Sequence, residues 1–258
     1  PCNTCRYCLN GNHTACETLH TTNFFPGGFA EYIRVPEINV DRGVFPLPED
    51  MDYDRATFIE PLACVVRGQR VARLEAGQSV LVLGSGISGL LHIALAKALG
   101  AGRIIATDIS GFRMEAAKRF GADAAISAHE DVPARVRELN DGRPADLAIV
   151  CAGELSAYRQ ALVSLDRGGT LLCFAPTRPG VDLPVPVNEF WRNGIAILPS
   201  YGGGPRDIMV AMDLIRARRV PVEEMITHRL PLEEAAEGFR LVAEASESIK
   251  VILLPHER

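Results

Sequence analysis

The chain has 258 residues, 47% of them apolar and 23% charged, with 27 Lys and Arg against 32 Asp and Glu for a formal net charge of −5. That length and apolar share suit one large domain or two unequal ones with a sizeable core, and they exclude a disordered chain. The acidic balance leaves no footprint for nucleic acid or an anionic membrane surface, so neither is expected as a partner.

The first feature in the chain is Cys2, Cys5, Cys8 and Cys16, spaced C-x2-C-x2-C-x7-C. Four thiolates on a short loop can close around one tetrahedral cation, and sulfur ligands favour zinc. The opening spacing also begins ferredoxin-type cluster motifs, but there the fourth cysteine comes sooner and precedes a proline. Here Glu17 follows Cys16, so zinc is preferred over an iron–sulfur cluster, and disulfides come last. Four protein ligands leave no open position, which makes such a zinc structural, and losing one cysteine should unfold the lobe. His13 and His20 read as solvated loop residues. The rest of residues 1–60 reads as irregular β-type structure with short extended runs such as 29–35.

Apolar runs at 79–83, 103–108, 124–127, 146–151, 169–174 and 195–198 then suit buried parallel strands, with helical patterns at 90–99, 112–120, 132–139 and 156–165 between them. Strands alternating with helices predict an α/β fold with a doubly wound parallel sheet. Residues 76–96 carry no formal charge, yet Gly84, Ser85, Gly86, Ser88 and Gly89 fall within them; a strand–turn–helix explains the run better than a membrane span. Cys64, Cys151 and Cys173 lie scattered in apolar stretches and fit inert thiols in a reducing, cytoplasmic compartment; no signal peptide is visible. After Tyr201 the pattern breaks at Gly202-Gly203-Gly204-Pro205 and resumes as a helix at 207–218, a strand, a helix at 233–243 and a strand at 248–254. Periodicity does not decide whether these extend the sheet or return to the first domain.

Gly84-Ser85-Gly86-Ile87-Ser88-Gly89 is G-x-G-x-x-G between a strand and a helix. In that setting Gly84 permits the tight turn, Gly86 lets the backbone approach a pyrophosphate, and Gly89 lets helix and strand pack closely. The phosphates would sit at the helix N-terminus. Asp108 ends the next strand, where a carboxylate can accept bonds from an adenosine ribose. It also disfavours a ribose phosphate: two like charges about 4 Å apart cost from ~1 kcal/mol in water to ~4 at an effective dielectric of 20. NAD is therefore expected over NADP, although Arg113 could stack on adenine, pair locally or tolerate a phosphate. Ser110 is better placed than Asp108 to cap the following helix.

These pieces resemble the zinc-dependent medium-chain dehydrogenases, and most closely their sorbitol (iditol) dehydrogenase branch. The resemblance runs through the cysteine loop, Gly27-Gly28-Phe29-Ala30-Glu31-Tyr32, Glu60-Pro61-Leu62, the 84–89 turn with Asp108, and Thr227-His228-Arg229-Leu230-Pro231-Leu232 with Ile249-Lys250-Val251. It implies a partial GroES-like catalytic domain with a structural zinc lobe at 1–61, a Rossmann domain binding NAD at 62–199, and a return to the catalytic domain at 200–258. It implies that a catalytic zinc is held by a cysteine and a Gly-His-Glu segment that this chain lacks ahead of Cys2, leaving Glu60 as the surviving catalytic and metal-shell residue. A carboxylate at the start of a helix is the plain alternative for Glu60. By the same resemblance Ala152, Phe174 and Ala175 stand beside the cofactor, the last two near the nicotinamide. His92, His129, His228 and His256 read as packing or surface residues. The expected activity is zinc-dependent hydride transfer from a secondary alcohol or polyol to NAD. A threonine- or cyclitol-type dehydrogenase, or a non-catalytic zinc and nucleotide module, is the alternative. The 258 residues by themselves are expected to bind NAD weakly at best and to be inactive. Pairing through the strand near 194–198 implies a homodimer or homotetramer.

Overall fold

The computed structural model describes residues 1–256. They separate into two compact units: Pro1–Ala63 with Gly202–Arg218 and Val222–Arg258, and Cys64–Tyr201 with Arg219–Pro221.

The first unit opens with four short helices, α1 (Arg6–Leu9), α2 (Glu17–Thr21), α3 (Glu37–Gly43) and α4 (Tyr53–Ala56). The extended run expected at 29–35 does not form a strand. A single antiparallel bridge joins Phe25 to Arg34, and Phe29 and Tyr32 stay exposed; a strand needs a paired edge, and the other described residues of this unit offer none there. Asp52 caps α4 by accepting the Arg55 N–H at 2.8 Å. Helix α5 (Ile59–Val71) follows, and the unit boundary falls within it. The later part holds α11 (Pro205–Arg216) and a parallel pair, β7 (Ile226–Pro231) and β8 (Lys250–Leu254), joined through α12 (Ala235–Glu244). Beyond α11, then, the described residues add no strand to the larger sheet.

The second unit is a six-stranded sheet in the order β3-β2-β1-β4-β5-β6, every pairing parallel. Its strands are β1 (Ser79–Leu83), β2 (Arg103–Asp108), β3 (Ala124–Ser127), β4 (Ala145–Val150), β5 (Leu165–Cys173) and β6 (Ala196–Pro199). Central β1 is buried along its whole length, as a strand covered by helices on both faces must be. The crossovers are α6 (Ile87–Ala98), α7 (Gly111–Arg119), α8 (Val132–Leu139) and α9 (Leu155–Val163), with α10 (Val187–Asn193) before β6. Helix α6 is apolar almost all round: Leu90, Leu91, Ile93 and Leu95 are each 0–1% exposed, and each buried side chain contributes about 1.5–3 kcal/mol of transfer free energy. Asp146 fixes the start of β1 by accepting the Ser79 N–H at 2.8 Å and the Ser79 hydroxyl at 2.7 Å. This strand order is the doubly wound one whose direction of winding reverses between β1 and β4, opening a crevice at their carboxyl ends.

Two boundaries differ from the sequence reading by more than two residues. Helix α6 starts at Ile87, not Leu90, because Gly86 serves as its N-cap. Strand β5 begins at Leu165, which periodicity gave to the preceding helix; an irregular register against β4 between Ala145 and Leu147 lengthens it.

Candidate cofactor cleft and zinc loop

At the carboxyl end of β1 the backbone turns through Gly84, whose φ of +94° lies in the left-handed region that glycine enters without strain. The turn is tied to β2: the Gly84 N–H donates to Thr107 O at 2.9 Å, and the Ser85 N–H donates to Asp108 Oδ2 at 2.7 Å. Asp108 Oδ1 accepts the Ser110 N–H at 2.9 Å. This carboxylate is 6% exposed, so besides facing the crevice it holds the loop in place. Gly89 permits the next step, since a Cβ there would lie 1.9 Å from Gly84 O. Helix α6 thus starts against the turn with no side chain capping its first N–H groups, a ready anion site. Ile87 and Ser88 supply its first turn.

Beside the turn lies a cavity of about 400 Å³, lined among others by Gly86, Asp108, Arg113, His129 and Ala152. Arg113 is half-buried, its Nε has no partner, and its Nη1 is the nearest atom, at 3.8 Å, to where a Gly86 side chain would begin. Ser110 caps α7 by accepting the Arg113 N–H at 3.5 Å. Across the crevice the Cys151 N–H donates to Leu83 O at 2.8 Å, and those of Phe174 and Ala175 donate to Val150 O at 3.2 and 2.9 Å. The structure therefore brings Gly84 and Gly86 of the turn, Asp108, Arg113 and Ala152 to one cavity and puts Phe174 and Ala175 at the end of β5. Such a surface can hold a dinucleotide: phosphates on the helix N-terminus, one nucleoside on each half of the sheet.

Sequence reasoning did not foresee that His129 lines this cavity; it sits in the loop after β3, and only the topology brings it there. Nor did it foresee Tyr158, whose hydroxyl donates to Ala175 O at 2.6 Å. Its place in an ordinary amphipathic helix gave no signal. His92 is wholly buried, and burial pulls its pKa down to about 3.

In the first unit the four cysteines converge, their sulfurs all within 4.8 Å of one another. Cys5 and Cys8 are 3.5 Å apart and Cys2 and Cys16 3.7 Å apart. Four ligands at a Zn–S distance of about 2.3 Å in a tetrahedron stand about 3.8 Å apart, whereas a disulfide needs about 2.05 Å. The sulfur spacing fits a metal and not a bridge. Cys5 is the N-cap position before α1 and Cys16 that before α2, while the Cys5 N–H reaches Cys2 Sγ at 3.3 Å and the Cys2 N–H reaches Cys16 Sγ at 3.4 Å. Hydrogen bonds from Thr4 bring the Cys2 thiol down to about 5, and the Cys2 N–H brings Cys16 to about 7. Burial pushes Cys8 up to about 12; a cation at the centre is what makes thiolates tolerable together. Among the described residues this is the only group of three or more His, Cys, Asp or Glu placed to hold a metal. His13 is half-buried and His20 exposed.

Glu60 lies exposed in the first turn of α5, where a carboxylate suits the helix dipole. Its charge opposes the burial that lowers the pKa of Lys250, and Lys250 Nζ donates to Thr57 O at 3.3 Å. Glu60 joins no metal-ligating group of three or more among the described residues. The same residues contain no helix long and apolar enough to cross a membrane.

The chain is similar to known proteins along nearly all its length. The family model described as zinc-binding dehydrogenase matches residues 88–217. L-threonine 3-dehydrogenase of Chromobacterium violaceum is 31% identical over 256 residues, 98% of this chain and 72% of the relative. D-xylulose reductase A of Aspergillus oryzae is 31% identical over 260 residues, 98% of this chain and 71% of the relative. Among solved structures, alcohol dehydrogenase TADH from Thermus sp. ATN1 superposes with a TM-score of 0.87 at 28% identity, covering 98% of this chain and 74% of that one. A Sinorhizobium meliloti 1021 protein bound to NADP superposes with a TM-score of 0.84 at 25% identity, over 98% and 74% of the two chains.

Proposed function

We propose, from the premise that the chain belongs to the zinc-binding dehydrogenase family, that it serves hydride transfer between a secondary alcohol or polyol and NAD. One observation carries the cofactor reading: the 84–89 turn is stitched to Asp108 at the N-terminus of α6. In this reading Gly86, Ile87, Ser88 and Gly89 take the pyrophosphate, Asp108 and Arg113 the adenosine ribose, Ala152 stands beside the cofactor, and Phe174 and Ala175 lie on the nicotinamide side. Bound NAD supplies the hydride acceptor. The protein's share is to bind, orient and exclude water. Cys2, Cys5, Cys8 and Cys16 hold a structural zinc, and the first unit is assigned as the catalytic part, GroES-like by resemblance.

The residues present do not fit a second, open metal site. Glu60 belongs to no group of three or more possible metal ligands among the described residues, so no step through a metal at Glu60 follows from this chain. The 258 residues are accordingly expected to carry one zinc and to oxidise no alcohol by themselves. Incubating the purified chain with sorbitol, xylitol or L-threonine and NAD, while following NADH absorbance, tests this; steady NADH production would refute it. The sequence matches to L-threonine 3-dehydrogenases favour L-threonine as the second substrate reading, and the polyol reading draws on the xylulose reductase and sorbitol dehydrogenase matches. Self-association through the β6 edge is the assembly we assign, and a dimeric or tetrameric mass by light scattering is its check.

A further inference from the structure

The exit of β5 is braced more heavily than a turn requires. In a doubly wound sheet the two nucleotides of a dinucleotide lie on the two halves, here β1 to β3 and β4 to β6. Phe174 and Ala175 leave the sheet on the second half, opposite Asp108. Both of their N–H groups go to one acceptor, Val150 O, so the chain breaks from the strand direction immediately. The Ala175 carbonyl belongs to the peptide that leads into Pro176. That peptide has no N–H, and its carbonyl is its only polar handle. Tyr158, 4% exposed on α9, grips this handle at 2.6 Å.

From the other side comes His92, fully buried on α6. Its ring meets that of Phe174 edge to face, with centroids 4.5 Å apart and planes at 89°. Gln69 Nε2 donates to the His92 carbonyl at 2.8 Å and lies 3.2 Å from His92 Nδ1. An amide nitrogen already donating to a carbonyl is a donor toward the ring as well, so Nδ1 accepts and the proton sits on Nε2. Gly68 leaves room for the pair: a Cβ there would stand 3.3 Å from His92 Cε1 and 3.4 Å from Phe174 Cδ2. Helix α6 therefore does two jobs. Its N-terminus faces the phosphate turn, and one turn and a half later His92 supports the segment that ends β5.

We propose that His92 and Tyr158 are positioning residues for the nicotinamide half of the cofactor site, acting through the backbone of Phe174 and Ala175. The inference rests on the crevice being an NAD site. Neither residue needs to touch the cofactor: His92 sets where the Phe174 ring stands, and Tyr158 sets the plane of the peptide after Ala175.

The test separates the two halves of the ligand. NAD and ADP-ribose share everything but nicotinamide, so their affinities for the 258-residue chain, read by NMR titration suited to weak binding, isolate the nicotinamide side. Tyr158→Phe keeps the ring and removes the hydroxyl. It should weaken NAD by roughly fivefold to tenfold, because the freed Ala175 peptide must be re-ordered on binding at a cost bounded by the one hydrogen bond that held it, and leave ADP-ribose within about twofold. His92→Leu should show the same selective loss. If His92→Leu loses ADP-ribose too, it has disturbed the fold and Tyr158→Phe decides. An unchanged ratio of NAD to ADP-ribose affinity in Tyr158→Phe overturns the proposal, as do equal wild-type affinities for the two ligands. A wild-type chain that binds neither ligand refutes the cofactor reading itself, and the positioning role falls with it.

Discussion

Asp108 holds the loop and, in the proposed reading, would serve the ligand as well. Its two oxygens accept the N–H groups of Ser85 and Ser110, so it would be needed for the turn even with no cofactor bound. Asp108→Asn replaces one of those acceptors by an N–H donor in a buried place. The unfolding free energy from urea titration should fall by ~1–3 kcal/mol, the penalty of a buried donor left unpaired. His92 makes a pH-dependent contribution whose sign follows from burial. Its folded pKa is pulled down to about 3, against about 6.5 in an unfolded chain. Below about pH 6.5 the unfolded chain takes a proton that the folded one refuses. Stability present above that value is then lost as pH falls toward about 3, by up to ~1.4 kcal/mol per pH unit. His92→Leu removes this term, so the stability gap between wild type and variant should narrow from pH 7 to pH 5 in urea unfolding. A gap that widens over that range contradicts the assignment of a neutral, buried imidazole.

The glycines of the nucleotide-type unit divide by what surrounds them. At Gly89 a Cβ would strike Gly84 O at 1.9 Å, so Gly89→Ala must push α6 off the turn. It should cost on the order of 1–3 kcal/mol and abolish cofactor binding. Gly111, at the start of α7, has nothing within 4 Å of an added Cβ and no positive φ. Gly111→Ala should be neutral or stabilise by up to ~1 kcal/mol, and melting of the two variants side by side checks the contrast. The cysteine loop follows a different logic, because its helices α1 and α2 are too short to persist alone. Cys8→Ser should drop the zinc content from one per chain to none and expose residues 1–22 to proteolysis, with the second unit still folded. The sequence made these two elements legible because their spacing is itself the mechanism: glycines where backbone must approach backbone, cysteines where sulfur must surround a cation. Tyr158 and Gln69 were not legible. Their partners lie 17 and 23 residues away, and nothing local marks a helix residue that grips a distant carbonyl or ring.

Across the whole molecule, strand–helix alternation announced the parallel sheet, and the six apolar runs correspond to its six strands. Periodicity did not say where residues after Tyr201 go. Strands β7 and β8 look like any other short apolar run, and only their pairing with each other takes them out of the larger sheet. The first 60 residues were misjudged for a related reason. Gly- and Pro-rich sequence reads as strand and turn, but strands exist only where an edge is offered, and among the described residues this stretch finds one bridge. Cofactor choice is the point on which the molecule is most exposed to test. In the proposed reading Asp108 would disfavour a ribose phosphate and Arg113 could accept one, and a structural neighbour was solved with NADP. Titrating the 258-residue chain with NADH and NADPH in parallel, by the change in nicotinamide fluorescence, decides between them. The buried carboxylate of Asp108 predicts NADH binding at least tenfold tighter, a gap that Asp108→Asn narrows. Equal or tighter binding of NADPH would contradict the account.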